Sequence, residues 1–139
     1  MLVLDTHVWV WLLEGSNKLT TTKASAALSR IREAVNQSEL RVSIISVWEV
    51  TMLEAKGRIR FSVPCLDWID RALSVPGLAL IPITPEIAVD SSRLPGEFHG
   101  DPADRLIVAT SRRIEAGLVT ADRRIRDYGK QGYVNVLWV

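Results

Sequence analysis

The sequence Leu2-Val-Leu-Asp5-Thr-His-Val-Trp-Val-Trp-Leu-Leu13, near the start of the chain, carries the strongest indication of fold class. Its first three residues are unbroken aliphatics, which predict a short strand covered on both faces. The Val-Trp-Val-Trp run also has strand propensity, but it follows a strand directly and must reverse direction. We therefore predict a short helix over residues 7–13, buried by a sheet on one side and by a partner on the other.

The rest of the chain alternates short apolar runs with longer segments of helical period. This alternation is typical of an α/β domain with a mostly parallel five-stranded sheet flanked by helices. The predicted strands are Leu2–Leu4, Leu40–Ile45, Leu78–Ile83, Leu118–Thr120 and Tyr133–Trp138. The other predicted helices cover residues 22–36, 46–55 (ended by Gly57), 66–73, 86–91, 103–114 (closed by Gly117) and 123–128. We expect loops over Glu14–Lys23 and Pro95–Gly100.

Composition narrows the class of protein. A chain of 139 residues with 47% hydrophobic and 24% charged residues fits one globular domain, residues 1–139. The single cysteine, Cys65, excludes an internal disulfide framework and a cysteine-only zinc site. The longest apolar stretch, Val8–Leu13, is too short to span a membrane. We expect a cytoplasmic protein without a membrane partner, because a targeting leader is also missing.

Four acidic residues from distant parts of the chain follow predicted strands or begin predicted helices: Asp5, Glu49, Asp104 and Asp122. In a parallel sheet such positions gather on one edge, where ligands bind. Each acid also has a plainer interpretation as a helix cap. Ser46 and Glu49 fit a capping box, and Asp101 fits an N-cap before Pro102. Capping alone, however, does not require all four acids to lie on one edge.

A cluster of four carboxylates is expected to bind a cation. The charges repel one another, which destabilises the fold or forces some groups to hold protons. A hard divalent ion removes the repulsion, and Mg²⁺, or Mn²⁺ in its place, prefers carboxylate oxygens and retains water. Two such ions about 4 Å apart would align an attacking water and stabilise a leaving oxygen in phosphodiester cleavage. Acids without Cys or clustered His argue against zinc.

Four segments of the chain resemble the PIN domain, and within it the VapC-like ribonuclease toxins. They are Met1-Leu-Val-Leu-Asp5-Thr6-His7, Ser46-Val-Trp-Glu49, His99-Gly-Asp-Pro-Ala-Asp104-Arg-Leu-Ile-Val-Ala109 and Leu118-Val-Thr-Ala-Asp122. The first and third are the more specific, and together the segments span nearly the whole chain. The resemblance implies a three-layer PIN-like fold and a metal-dependent endoribonuclease with an acidic pocket at the strand ends.

The resemblance also assigns roles by position. Asp5, Glu49 and Asp104 match the family's core metal-binding acids, and Asp122 matches a fourth. The supporting residues are Thr6, Ser46, Thr120 and Asp101, the last being either a fifth acid or only a helix cap. We expect Asp5 to coordinate or bridge the principal Mg²⁺, with Glu49 and Asp104 completing its shell partly through water. Asp122 would hold a second ion or orient the attacking water.

RNA contact is expected from the basic segment 105–130, which carries seven cations against three acids, or +4, in a chain of net charge +1. Phosphate contacts explain this bias, although a solvated helix face with ordinary salt bridges is the alternative. The expected RNA-binding residues are Arg105, Arg112, Arg113, Arg123 and Arg124. With two Phe and two Tyr, an aromatic stacking platform is not the obvious mode, and a structured RNA read by shape is more natural.

A protein partner is expected from the tryptophans. A small domain seldom hides five of these rings, and Trp is enriched at interfaces. We expect an apolar surface that includes Trp9, Trp11, Leu12 and Trp48, and the resemblance assigns it to an antitoxin peptide. A basic antitoxin side chain would inhibit by displacing metal from the acids. The resemblance also implies a homodimer.

Other functions fit the sequence less well. A haloacid-dehalogenase-like phosphatase needs a second Asp two residues after the first, where this chain has His7. A receiver domain needs an acidic pair near the first strand, and only Asp5 is there. A housekeeping nuclease of the same fold would have the same acids. A catalytically silent PIN module is disfavoured because all four acids are present. A metal-activated water needs no histidine as base, so His7 and His99 are interpreted as packing or hydrogen-bonding residues.

Overall fold

Five short strands form one sheet in the computed structural model, which describes residues 1–139. The strands are β1 (Leu2–Leu4), β2 (Leu40–Ser43), β3 (Leu78–Ile81), β4 (Gly117–Thr120) and β5 (Val136–Trp138). They lie in the order β3-β2-β1-β4-β5, and every neighbouring pair is parallel. The predicted α/β class and five-stranded sheet are confirmed, and the sheet is parallel throughout.

Seven helices flank the sheet and carry the chain from one strand to the next. They are α1 (Thr6–Glu14), α2 (Thr22–Asn36), α3 (Ile44–Ala55), α4 (Cys65–Leu73), α5 (Pro85–Ser92), α6 (Pro102–Arg113) and α7 (Arg123–Lys130). A short 3₁₀ turn, Asn17–Leu19, lies within the predicted first loop. None of the helices combines the length and the apolar character that crossing a membrane requires.

Both faces of the sheet are covered by hydrophobic clusters, which gives the three-layer arrangement expected from the resemblance. Side chains of a strand alternate between its faces, so Leu2 and Leu4 enter one cluster while Val3 enters the other. The first cluster also contains Val8 and Trp9 of α1. The second contains two buried residues from each of α6 and α7. Strands covered in this way read as continuous apolar runs, as the sequence predicted.

The central strand β1 marks the point where the chain changes direction along the sheet. From β1 the chain adds β2 and β3 on one side and later adds β4 and β5 on the other. Ligands of open parallel sheets bind at the carboxyl ends of the strands at such a switch point. Asp5 directly follows β1, and Asp122 lies two residues after β4.

Three predicted strand boundaries are wrong, each for a local reason. The strand predicted to reach Ile45 ends at Ser43, because the Ser43 hydroxyl accepts a hydrogen bond from Ile45 N at 3.1 Å and caps α3. Strand β3 ends before Pro82, which has no amide hydrogen for the ladder. Strand β5 begins at Val136, not Tyr133, since the Tyr133 ring stacks on Tyr128 before the strand starts.

Gly117 does not close α6 as predicted. The left-handed residue after this helix is Glu115, with φ of 55°, and Gly117 is the first residue of β4. A Cβ on Gly117 would lie 3.0 Å from Leu2 Cδ2. A side chain at Gly117 would therefore crowd the Leu2 side chain where β4 approaches β1. Gly57, predicted to end α3, follows that helix in a left-handed conformation.

The predicted helix after β1 is confirmed, but its tryptophans differ in environment. Trp9 is fully buried and packs edge-on against Trp68, with ring centroids 5.2 Å apart. It therefore contributes to the core, and its assignment to a partner surface is wrong. An apolar run along a helix does not reveal which residues face the sheet. Trp11 and Leu12 are half-buried.

Candidate active site

Asp5 is held at the centre of the site by two hydrogen bonds from different parts of the chain. Its Oδ1 accepts from Thr6 N at 2.8 Å, which makes it the N-cap of α1. Its Oδ2 accepts from the Thr120 hydroxyl at 2.6 Å, across the switch point between β1 and β4. The Thr120 hydroxyl in turn accepts from Asp122 N at 3.0 Å. The ends of the two strands are therefore tied together through one carboxylate.

Glu49 is joined to the same group through Thr6. The Thr6 hydroxyl donates to Glu49 Oε1 at 2.6 Å and lies 2.8 Å from the Ser46 hydroxyl. A hydroxyl has one proton, so Ser46 is the donor in the second contact. The capping-box interpretation of Ser46 and Glu49 is wrong, because Ser43 is the cap of α3. Both residues lie inside the helix and face Thr6.

Three acids of the site also cap helices. Asp5 caps α1, Asp101 Oδ1 accepts from Asp104 N at 2.8 Å to cap α6, and Asp122 Oδ1 accepts from Arg124 N and Ile125 N to cap α7. The helix N-termini point at the site, which favours negative charge there. Asp104, in the first turn of α6, accepts no hydrogen bond from another residue through its side chain. Capping and clustering are thus two consequences of one arrangement.

The carboxylates line a single pocket of about 470 Å³ at the carboxyl edge of the sheet. The acids in its lining, called here the acid edge, are Asp5, Glu49, Asp101, Asp104 and Asp122. The four acids singled out from the sequence therefore meet as predicted, and Asp101, whose role the sequence left open, lies beside them. Arg123 and Arg124 also line this pocket.

The acid edge perturbs the carboxyl groups strongly. Burial and then the negative charges of the neighbouring acids raise the pKa of Asp104 to about 7. Burial also raises the pKa of Asp5, against the hydrogen bonds from Thr120 and Thr6. Burial likewise raises the pKa of Glu49, against the hydrogen bond from Thr6. Clustered shifts of this kind are typical of functional sites.

The donor set of the acid edge fits a hard divalent cation. Several carboxylates with raised pKa values have an unmet need for positive charge, and Cys is absent from the pocket lining. No three of the chain's His, Cys, Asp or Glu side chains converge closely enough to form a ready-made ligand set. An ion that keeps several waters in its shell, as Mg²⁺ does, matches this spacing better than an all-protein cage does.

The five arginines expected to bind RNA fall into two groups. Arg123 and Arg124 are exposed at the pocket. Arg105 donates to the Ser91 and Phe98 carbonyls at 2.8 and 2.6 Å, and Arg112 donates to the Tyr133 carbonyl. Arg113 forms a two-pronged pair with Asp90, at 2.9 and 3.1 Å. These three guanidinium groups are engaged within the protein and line no part of the acid pocket.

The histidines occupy different positions. His7 is exposed, lines the acid pocket and lies 6.2 Å from Trp11 between ring centroids. His99 is exposed and faces Glu97 at 3.7 Å. Neither histidine hydrogen-bonds to an acid of the site.

Two cations beside the acid edge, Lys56 and Arg58, were missed by sequence reasoning. They line a second groove together with Trp48, which the sequence assigned to a partner surface and which is 53% exposed. The two cations flank the Gly57 turn after α3, in a segment without a recognisable motif. The only signal in the sequence was a pair of basic residues around a glycine.

Comparison with known proteins places this architecture in a family. Residues 2–131 match the family model of the PIN domain. The chain is 38% identical over 128 residues to Ribonuclease VapC22 of Mycobacterium tuberculosis, an alignment that covers 91% of this chain and 90% of that protein.

Solved structures have the same fold at low sequence identity. VapBC2 from Rickettsia felis, bound to a DNA fragment from its promoter, has a TM-score of 0.68 at 15% identity and covers 99% of this chain and 98% of that one. FitAcB from Neisseria gonorrhoeae has a TM-score of 0.61 at 16% identity, covering 99% and 96%. With the family model matched over nearly the full length, this chain belongs to the PIN domain family.

Proposed function

We propose that this protein is a divalent-metal-dependent endoribonuclease and the toxin of a VapBC-type toxin–antitoxin pair. The observation that carries the proposal is the acid edge, where carboxylates from four distant chain segments line one pocket. The relative named Ribonuclease VapC22 and the VapBC structures support the same activity class. A cytoplasmic location fits a protein that acts on cellular RNA.

Asp5, Glu49 and Asp104 would hold the principal Mg²⁺ or Mn²⁺, and Asp122 would hold a second ion or orient the attacking water. A bound divalent ion supplies a Lewis acid that activates water and stabilises charge on the phosphate. Thr120 and Thr6 fix the Asp5 and Glu49 carboxylates through hydrogen bonds of 2.6 Å. Such supporting hydrogen bonds orient metal ligands and tune their affinity. Two of the three proposed ligands, Asp5 and Glu49, are thus oriented by hydrogen bonds within the chain.

RNA would enter over Arg123 and Arg124, the cations that border the acid edge. Their charges offset the repulsion between the acids and the phosphate backbone and position the strand without reading its bases. Arg105, Arg112 and Arg113 contribute to folding through their internal hydrogen bonds. Their loss would therefore weaken the fold and affect RNA binding only indirectly.

The antitoxin would cover the outer face of α1, where Trp11 and Leu12 are half-buried. A basic antitoxin side chain reaching the acid edge would inhibit by competing with the metal. We also propose that the chain forms a homodimer, the commonest symmetric assembly among oligomeric proteins. Excess Mg²⁺ added to the purified pair should relieve inhibition, and inhibition that does not respond to Mg²⁺ would argue against the competition.

The test of the nuclease is metal-dependent cleavage of a mixed RNA pool by the wild type and by Asp5→Asn. The wild type should cleave with Mg²⁺ and stop with a chelator, and the variant should leave the pool intact. Equal cleavage by the two proteins would end the nuclease proposal. A silent binding module would cleave with neither protein.

The toxin role needs a separate experiment. Expression of the wild type without a partner should arrest growth of a bacterial host, and Asp104→Asn should not. A housekeeping nuclease would cleave RNA in the tube without arresting growth, so the two outcomes separate the two roles.

A further inference from the structure

A second groove of about 340 Å³ adjoins the acid edge. It shares His7, Glu49 and Asp101 with the acid pocket, so the two depressions meet at these residues. The remaining lining residues are Trp48, Met52 and Leu53 of α3, Lys56 and Arg58 after it, and Pro102 and Ala103 of α6. A strand bound at the acid edge could therefore continue directly into this groove.

Trp48 differs from the other four tryptophans because its ring has no partner. Trp9 and Trp68 pack on each other, Trp11 lies under Lys18, and Trp138 lies between Lys23 and Arg126. Trp48 takes part in no ring pair and no cation–π contact, and it is 53% exposed. More than half of the Trp48 indole is therefore open to solvent, with no aromatic or cationic side chain of the protein over its ring, and it can stack on a ligand.

Lys56 and Arg58 are likewise free. The chain's ion pairs join Met1 to Glu39, His99 to Glu97, Arg113 to Asp90 and Arg126 to Asp127. Neither Lys56 nor Arg58 has a carboxylate partner, and neither side chain forms a hydrogen bond within the protein. Two unpaired cations beside an exposed ring are complementary to an anionic, aromatic ligand.

We infer that this groove, called here the Trp48 groove, is a nucleotide-binding subsite for single-stranded RNA. A base adjacent to the cleaved phosphodiester stacks on Trp48, and Lys56 and Arg58 bind the flanking phosphates. The inference rests on the proposed ribonuclease function. It adds the path that the RNA strand follows beyond the acid edge. It also changes the expected substrate, since an exposed ring favours an unpaired base over a helical RNA read by shape.

Charge favours RNA over a protein in this groove. Five acids at one edge repel a polyanion, so a strand crossing them needs cations on its path. Arg123 and Arg124 border the acids in one pocket, and Lys56 and Arg58 border the shared residues in the other. A strand would therefore meet a pair of cations on each side of the acid edge. The groove also has an apolar wall, which includes Met52 and Leu53, but a polyanion is the ligand that uses both this wall and the two unpaired cations.

The first test measures binding of a non-cleavable 2′-O-methyl single-stranded RNA of about 12 nucleotides, in Mg²⁺, by fluorescence anisotropy. Trp48→Ala should raise the Kd on the order of tenfold, and Trp48→Phe should retain most of the affinity, because stacking tolerates any aromatic ring. Leu66→Ala is the matched control, since Leu66 is 66% exposed and lies outside both pockets. Its Kd should equal that of the wild type.

Stacking is separated from a structural role by abasic scanning. Removing one base at a time from the probe should weaken wild-type binding at a particular position, and in Trp48→Ala the same abasic probe should cause no further loss. This non-additivity requires that the ring and that base contact each other. Additive losses at every position would overturn the stacking assignment.

The cations are tested by salt dependence. The double substitution Lys56→Ala/Arg58→Ala should reduce the slope of log K against log salt by roughly 0.7 for each phosphate that the protein no longer neutralises. Arg30→Ala/Arg32→Ala removes the same charge from the exposed side of α2 and should leave the slope unchanged. Equal slopes for the two double variants would overturn the phosphate role.

Failure of this inference is distinguishable from failure of the proposed function, because binding is measured without cleavage. If the wild type cleaves RNA and Trp48→Ala binds the probe normally, only the subsite is overturned. Wild type that binds through Trp48 but does not cleave overturns only the nuclease. If Trp48→Ala binds RNA normally but is no longer inhibited by the proposed antitoxin, the groove binds a protein partner and the inference is wrong.

Discussion

Asp5 and Trp9 lie one helical turn apart and are joined by a backbone hydrogen bond of 3.0 Å, yet burial has opposite consequences for them. Trp9 is fully buried in the first hydrophobic cluster, where removal of its large ring from water stabilises the fold. Asp5 is 6% exposed at the acid edge, and burial raises the pKa of its carboxyl group. Helix α1 thus directs a stabilising side chain inward, while its N-cap places a destabilising charge at the pocket.

This comparison indicates that the buried carboxylates of the acid edge lower the stability of the fold. A charge that the fold alone would reject is retained because hydrogen bonds from Thr6 and Thr120 hold it and a cation would neutralise it. The hydrophobic clusters must supply the stability that the acid edge removes. Substitutions in the two regions should therefore separate folding from activity.

The largest effect is expected from Trp9→Ala. Loss of a fully buried ring should lower the free energy of unfolding by about 3–5 kcal/mol, as measured by urea denaturation. Trp48→Ala is the matched control, since that ring is 53% exposed, and it should change stability by about 0.5 kcal/mol or less. Equal destabilisation by the two variants would contradict the assignment of Trp9 to the core.

Asp5→Asn should have the opposite effect, retaining the fold and losing activity. The asparagine can accept from Thr6 N and donate to the Thr120 hydroxyl, so the fold should be retained in thermal melting. Mg²⁺-dependent RNA cleavage should fall by more than about a hundredfold, the upper end of losses seen when only a supporting residue of a metal site is changed. A variant that cleaves at the wild-type rate would remove Asp5 from the site.

Thr120→Val should have an intermediate effect on activity. It removes the hydroxyl that holds Asp5 Oδ2 and leaves the carboxylate itself unchanged. The expected loss of metal affinity or cleavage rate is about 10- to 100-fold, measured by Mg²⁺ titration of the reaction. Thr51→Val, at an exposed position of α3, should titrate like the wild type.

The last prediction concerns the pH dependence of stability. The pKa of Asp104 is about 7 in the folded protein, against an ordinary value of 3.8. The folded state therefore binds this proton more tightly than the unfolded state, and the contribution to stability is lost as pH rises from about 4 through 7. Metal-free Asp104→Asn should lack this component, so its Tm should fall less than that of the wild type between pH 5 and 8.

Mg²⁺ supplies the control for this prediction. If Mg²⁺ binds the folded state as proposed, it should raise the Tm of the wild type more at pH 8, where Asp104 is ionised, than at pH 5. Asp104→Asn should show a smaller rise at pH 8. Parallel pH profiles for the two proteins, with and without Mg²⁺, would mean that Asp104 does not titrate as described.

The order of strands and helices, and the edge of the sheet at which the acids meet, could be predicted from the sequence alone. Both are consequences of local patterns. An aliphatic triplet followed by Asp5 is a strand with an acid at its carboxyl end, and a parallel sheet brings such ends together. The motif segments around Asp104 and Asp122 added the remaining acids.

The environments of side chains of the same type could be assigned only from the packed layers. Trp9 and Trp48 lie in equally apolar surroundings in the sequence, but one is buried and the other is free. Arg113 and Arg124 also look equivalent, but Asp90 pairs with only the first. Burial and pairing depend on residues far away in the chain, and helical period cannot show which face of an apolar helix meets the sheet. These properties arise only when the layers pack.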